Sequence, residues 1–77
     1  MEIKVLGPGC ANCKRLAQNV KEAVSELGIE ADIQKVEDIA EIMSYGVLST
    51  PSLVVNGELK FSGRSPGVSE IKDILKG

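Results

Sequence analysis

At Gly7-Pro8-Gly9 the hydrophobic pattern of this chain changes period, and that change limits its fold more than any other feature. Before it, Glu2-Ile3-Lys4-Val5-Leu6 alternates well enough for a short strand. After it, Leu16, Val20, Ala23, Val24 and Leu27 recur at spacings of three and four, which predicts an amphipathic helix opening at Cys10. Gly28 then stands where a left-handed residue ends a helix at little cost. Ile29, Ala31 and Ile33 return to a period of two, and this second strand is expected to run to Val36. Two strands flanking a crossover helix should lie parallel in one sheet.

The second half carries a different signature. Asp38 is placed to cap a short helix bearing Ile39, Ile42 and Met43, with Gly46 ending it. Val47 to Thr50 connects to Pro51, and Leu53-Val54-Val55 reads as a strand. Asn56-Gly57 follows, the dipeptide preferred in type I′ turns, and Leu59 and Phe61 alternate on the return strand. Gly63 breaks that strand, Pro66 suits an early helical position, and Val68, Ile71, Ile74 and Leu75 mark a last helix. The predicted order is β-α-β-α-β-β-α. It describes an α/β domain spanning residues 1–77, with a four-stranded mixed sheet and three flanking helices that bury the apolar stripes. Seventy-seven residues lie near the lower size limit for folding on a hydrophobic core. Tyr45 and Phe61 are the only aromatic residues, so the core must be mostly aliphatic.

Charge and hydropathy narrow the functions. A net charge of -2 argues against sequence-independent nucleic-acid binding, and the adjacent Lys14 and Arg15 do not make a basic patch. No stretch approaches a membrane span, and Met1-Glu2-Ile3-Lys4 does not open a signal peptide. The expectation is a cytoplasmic monomer with neither nucleic acid nor membrane as partner.

Cys10 and Cys13 are the only cysteines, and the chain has no histidine, so it cannot supply a four-ligand N/S zinc site. A bridge between them closes a very short loop and is a poor structural staple. In a reducing cytosol such a pair is catalytic, redox-sensing or metal-binding. At a helix start the unpaired N–H groups and the dipole favour a thiolate at Cys10. Gly7, Pro8 and Gly9 leave no bulky side chain over its sulfur. The leading expectation is therefore that Cys10 attacks a partner disulfide and that Cys13, nearly one turn on, resolves the mixed disulfide. No cofactor beyond the redox-active Cys10–Cys13 pair is implied. Two alternatives stay open: two thiolates without histidine suit soft Cu(I), and a docking module could report redox state without turnover. Pro51 reads from composition alone as a strand-start proline.

Three segments together give a resemblance: Gly7-Pro8-Gly9-Cys10-Ala11-Asn12-Cys13, Thr50-Pro51-Ser52-Leu53-Val54-Val55-Asn56-Gly57 and Phe61-Ser62-Gly63-Arg64. Over essentially its whole length the chain resembles the thioredoxin superfamily, in particular its small, glutaredoxin-sized archaeal and bacterial "redox-active disulfide" proteins. The resemblance implies a thioredoxin-like, glutaredoxin-like fold and a thiol-disulfide oxidoreductase that reduces protein disulfides. It implies a cis Thr50–Pro51 bond beside the cysteines, with the Thr50 backbone pairing with the partner's chain and Pro51 keeping metals off the thiols. Gly63 and Arg64 join Thr50 and Pro51 as candidate substrate-binding residues, with Arg64 and Lys14 as candidate cations at the rim.

The chain also departs from the resemblance. Thioredoxins carry tryptophan before the first cysteine, where this chain has Gly9. Many carry a buried acid six residues before that cysteine, where this chain has Lys4, which would lower a thiol pKa if it pointed to the site. Glutaredoxins grip glutathione with Gly-Gly and an acidic cluster before the last helix. Gly63-Arg64-Ser65-Pro66-Gly67-Val68-Ser69-Glu70 lacks that pattern, so a reductase or other protein electron donor is expected rather than glutathione. Small copper-binding domains share strand, CxxC, helix and strand, but next place another strand where this chain has the Asp38–Gly46 segment.

Overall fold

The computed structural model describes residues 1–9, 11–47 and 49–76. Its elements run β1 (Glu2–Leu6), α1 (Ala11–Leu27), β2 (Asp32–Val36), α2 (Ile39–Ser44), β3 (Ser52–Val55), β4 (Glu58–Ser62) and α3 (Val68–Lys76). The expected β-α-β-α-β-β-α order holds. The sheet order is β2-β1-β3-β4, with β1 parallel to β2 and antiparallel to β3, and β4 antiparallel to β3. The α/β fold with a mixed four-stranded sheet is thus the one the periodicities predict.

Alternation along the central strands divides the core into two. Ile3 and Val5 of β1 with Leu53 and Val55 of β3 meet Leu16, Ala17, Val20 and Ala23 of α1 and Ile71 and Leu75 of α3. On the opposite face Leu6, Val36 and Val54 meet Ile42 of α2 and Val47. A fully buried aliphatic side chain stabilises by about 1.5–3 kcal/mol, so the first face dominates the stability. The helices over it are also tied at their surfaces. Asn19 Nδ2 donates to the Pro66 carbonyl at 3.2 Å, and Lys72 Nζ lies 3.0 Å from Glu26 Oε1.

The turn chemistry reads as expected. Asn56 (φ 51°) and Gly57 (φ 82°) both take the positive φ that a type I′ turn demands. Asn56 further fastens the hairpin to β1, its Oδ1 accepting from the Glu2 N–H at 2.8 Å while its own N–H donates to the Glu2 carbonyl at 2.7 Å. β4 lies at the edge, and the pairing of Leu53 with Phe61 and Val54 with Leu59 leaves Lys60 as an extra, bulged residue. A bulge and a lysine both discourage another strand from adding there.

Three expectations need correction. Pro66 precedes α3 by two residues, and the first helical bond runs from the Ile71 N–H to the Gly67 carbonyl. β2 begins at Asp32, with Ile29 and Ala31 packing against the core from outside the strand. Of the α2 stripe only Ile42 is buried, whereas Ile39 and Met43 are 57% and 61% exposed. Asp38 does cap this helix, its Oδ1 accepting from the Ala40 N–H at 2.8 Å, but six residues are too few to lay three side chains against the sheet.

Candidate redox site

The parallel register of β1 and β2 builds the site. Val5 stands opposite Lys35 and Leu6 opposite Val36, so both strands end at the same edge. The Gly7 N–H then donates to the Val36 carbonyl at 2.9 Å, which holds the start of the Gly7-Pro8-Gly9 loop against β2. The loop delivers the chain to the N-terminus of α1. Cys13 sits in the first turn of that helix and is 5% exposed. No acid shares this turn, so the positive end of the helix dipole acts on the Cys13 sulfur unopposed from within the turn. Cys10, the expected nucleophile, lies outside the described residues.

Gly7 lies close to both the thiol and the proline loop. A Cβ added there would overlap the Cys13 sulfur, come within 2.9 Å of Cys13 Cβ and touch Pro51 Cα at 4.0 Å. Any side chain at position 7 would therefore displace Cys13. The Thr50–Pro51 bond is cis, as the resemblance implies. Pro51 is buried and Thr50 exposed, lining a groove with Pro8, Ile39 and Met43.

The remaining candidates separate. Gly63 belongs beside the proline loop: its N–H donates to the Pro51 carbonyl at 2.9 Å, and it takes φ 73°. Arg64 instead turns away to Glu70 of α3, with its guanidinium 5.7 Å from the centre of the Phe61 ring. Its charge is engaged at the α3 side of the fold. Ser65 completes the contact between this loop and α1, its hydroxyl donating to the Asn12 carbonyl at 3.4 Å.

Lys4 does not reach the thiol. It projects from the face opposite Val5, where its Nζ donates to the Tyr45 hydroxyl at 2.8 Å and lies 5.5 Å from the centre of that ring. Hydrogen bonding to Tyr45 raises its pKa, with smaller contributions from the negative charges of Glu2 and Glu41, against a desolvation that lowers it. Lys35 and Glu37 occupy the place beside the cysteine instead. With Val5, Gly7, Gly9, Cys13 and Lys14 they line a hollow of about 30 Å³. Glu37 leans over the loop closely enough that a Cβ on Gly9 would meet its Oε2 at 3.0 Å. Sequence reasoning missed both residues. The available signal was the predicted parallel pairing of the first two strands, since sites in α/β sheets gather at the carboxyl ends of such strands.

A strand, a close-turning loop and a helix carrying a buried cysteine in its first turn, packed against a cis-proline loop, define the site of a thioredoxin-fold redox protein. Comparison with known proteins agrees: a family profile described as thioredoxin domain matches residues 1–76. The chain is 47% identical over 75 residues to a thioredoxin of Methanothermobacter thermautotrophicus, covering 97% of each chain. It is 45% identical over 74 residues to a thioredoxin of Methanocaldococcus jannaschii, covering 96% of this chain and 85% of that one. A probable thioredoxin of Methanothermobacter marburgensis is 31% identical over 71 residues, covering 88% of this chain and 82% of that one. The chain belongs to the thioredoxin family. The helix that follows β2 also separates its topology from that of the copper-binding domains, which place a strand there. Among the described residues no helix is long and apolar enough to cross a membrane.

Proposed function

We propose that this thioredoxin-family protein reduces protein disulfides through a Cys10/Cys13 dithiol-disulfide cycle. The observation that carries the reading is the packing of Cys13 in the first turn of α1 against Gly7, with Pro51 near the same glycine. Cys10 attacks one sulfur of the partner disulfide, and the other sulfur leaves as a thiol. Cys13 then attacks Cys10, which breaks the mixed disulfide, releases the second partner thiol and leaves the Cys10–Cys13 bridge. Two electrons pass to the partner, and a reductase or another protein donor restores the dithiol. Thr50, Pro51 and Gly63 form the ledge on which the partner's chain lies, while Arg64 stands beyond it, paired with Glu70. No cofactor besides the two thiols takes part. The protein works as a monomer in the cytoplasm, where a reducing environment keeps it charged with electrons.

The test is trapping. With insulin as a model disulfide, Cys13→Ser should accumulate a mixed disulfide visible by mass, while Cys10→Ser should form none and should not turn over. Accumulation in Cys10→Ser instead would reverse the two roles. A redox titration of the wild type should show one two-electron transition between about -200 and -300 mV. Its absence, with tight Cu(I) retention, would sink the oxidoreductase reading in favour of metal binding.

A further inference from the structure

Among the described residues Ser52 is the one polar side chain that is fully buried, at 0% exposure. It opens β3, a central strand, where it pairs with Leu6 of β1 and Ser62 of β4. Alternation puts its side chain with that of Val54 on the α2 face, where an apolar residue would need no hydrogen-bond partner. The hydroxyl reaches back to the loop instead: Ser52 Oγ donates to the Ser49 carbonyl at 2.7 Å. That bond spans the Thr50-Pro51 turn. Gly63 braces the same turn, its N–H donating to the Pro51 carbonyl at 2.9 Å, and a Cβ on it would come within 3.0 Å of Ser49 Cβ. Holding the Ser49 carbonyl fixes more than one oxygen. The Ser49–Thr50 peptide is planar and trans, so its N–H points opposite to its C=O. With the carbonyl turned in to Ser52, the Thr50 N–H is turned away from it. Thr50 is exposed, and among the described residues none accepts a hydrogen bond from its N–H.

We propose that Ser52 is the positioning residue of the ledge: its buried hydroxyl sets the direction in which the Thr50 N–H is presented to the main chain of a disulfide-bearing partner. The inference rests on the oxidoreductase reading above, in which Thr50 belongs to the surface that takes the partner. Ser52 has no exposed surface and does not touch the partner itself. It acts through the Ser49–Thr50 peptide, which turns as one planar unit. Without the hydroxyl, the Ser49 carbonyl is free to swing toward water, and the Thr50 N–H swings with it. A partner that offers a backbone carbonyl beside its disulfide then loses a donor held in place for it. A small disulfide with no peptide chain has nothing to lose.

The experiment sets two disulfides against the reduced full chain: insulin, whose disulfides lie in a main chain, and 5,5′-dithiobis(2-nitrobenzoic acid), which has none. The quantity read is the ratio of the two second-order rates, insulin reduction over thionitrobenzoate release. In Ser52→Ala this ratio should fall by about 3- to 10-fold, the effect of about one hydrogen bond. Ser52→Thr and Ser52→Val share a shape, and only the threonine carries a hydroxyl. Ser52→Thr should therefore keep the wild-type ratio, and Ser52→Val should lose it as Ser52→Ala does. A wild-type ratio in Ser52→Ala would overturn the proposal and leave the oxidoreductase reading standing. That holds if both rates are unchanged, and equally if both fall together, which reports a disturbed site rather than a misdirected donor. Equal ratios in Ser52→Thr and Ser52→Val would also overturn it, by assigning the effect to packing. A wild type that reacts with the aryl disulfide but leaves insulin intact would defeat the oxidoreductase reading, and this proposal with it.

Discussion

The two faces of the sheet are built to different standards. Under α1 and α3, aliphatic side chains from two helices and two strands close completely, with Ile3, Leu16, Val20, Leu53 and Ile71 at 0% exposure. Under α2, one helix of six residues contributes a single buried side chain, Ile42, to a smaller cluster. The charged groups divide the same way. On the α2 face Lys4 is satisfied by Tyr45 and Glu2, and it ends in a structural contact. On the α1 face Lys14, Lys35 and Glu37 stand around a hollow that opens onto a thiol. A thick, closed layer holds the cysteine-bearing helix still, and the thin layer is free to leave Ile39 and Met43 exposed beside Pro8 and Thr50.

Deletion of matched aliphatic groups on the two faces measures this asymmetry directly. Leu16→Ala should destabilise by about 4 kcal/mol, because the surrounding layer is closed on all sides and can relax little around the cavity. Ile42→Ala should cost about 2.5 kcal/mol, since α2 is short and its neighbours Ile39 and Met43 already stand in the groove with room to shift. Urea unfolding of the two variants, compared at constant m-value, reads the difference. Equal losses would mean that α2 packs as firmly as α1 and would remove the distinction between the layers.

Gly7→Ala probes the junction where the closed layer meets the site. The new methyl would overlap the Cys13 sulfur, so either α1 or the backbone at position 7 must move, at a cost of about 1–3 kcal/mol. Because the overlap falls on the thiol itself, insulin reduction should fall further than that stability loss alone explains at a temperature where the variant remains folded. Full activity in a destabilised Gly7→Ala would show that the cysteine tolerates displacement and that the close approach serves packing only.

Much of this was legible in the sequence, and the parts that were not share a cause. The helix of Leu16, Val20 and Ala23, the Asn56-Gly57 turn, the Asp38 cap and the order of elements along the chain all follow from local periods and turn chemistry. Each depends on residues near one another in the chain. The Cys10–Cys13 pair and the Thr50-Pro51 segment were likewise conspicuous as short motifs. Lys35 and Glu37 were not, because their position beside Cys13 comes from the Val5-to-Lys35 register, a pairing across thirty residues of chain. For Lys4 and Arg64 the sequence supplied charges near the site but not directions. Lys4 lies on the wrong side of a strand, and Glu70, six residues beyond Arg64, captures its guanidinium. Ile39 and Met43 illustrate the converse: period assigns residues to a helix face, but not how much of that face a neighbour covers.

The smallest effect expected belongs to the Lys4–Tyr45 contact, and its pH dependence gives it away. The contact raises the Lys4 pKa above the ordinary lysine value of 10.5, chiefly through the hydrogen bond to the Tyr45 hydroxyl. A cation held more tightly in the folded than in the unfolded chain adds stability that is complete below 10.5 and is lost as pH rises through the higher folded value. Tyr45→Phe removes the largest cause of the shift while leaving the ring that packs against the Ile42 cluster. The urea midpoint of the variant should therefore fall slightly below that of the wild type by a constant amount up to about pH 10, and the gap should narrow above it. Disulfide reduction at neutral pH should be unchanged, because the contact lies on the face turned away from Cys13. A gap that persists undiminished above pH 11 or so would assign the loss to packing of the ring rather than to the lysine. A fall in disulfide reduction would show that the α2 face, for all its distance from the thiol, still helps to position the site.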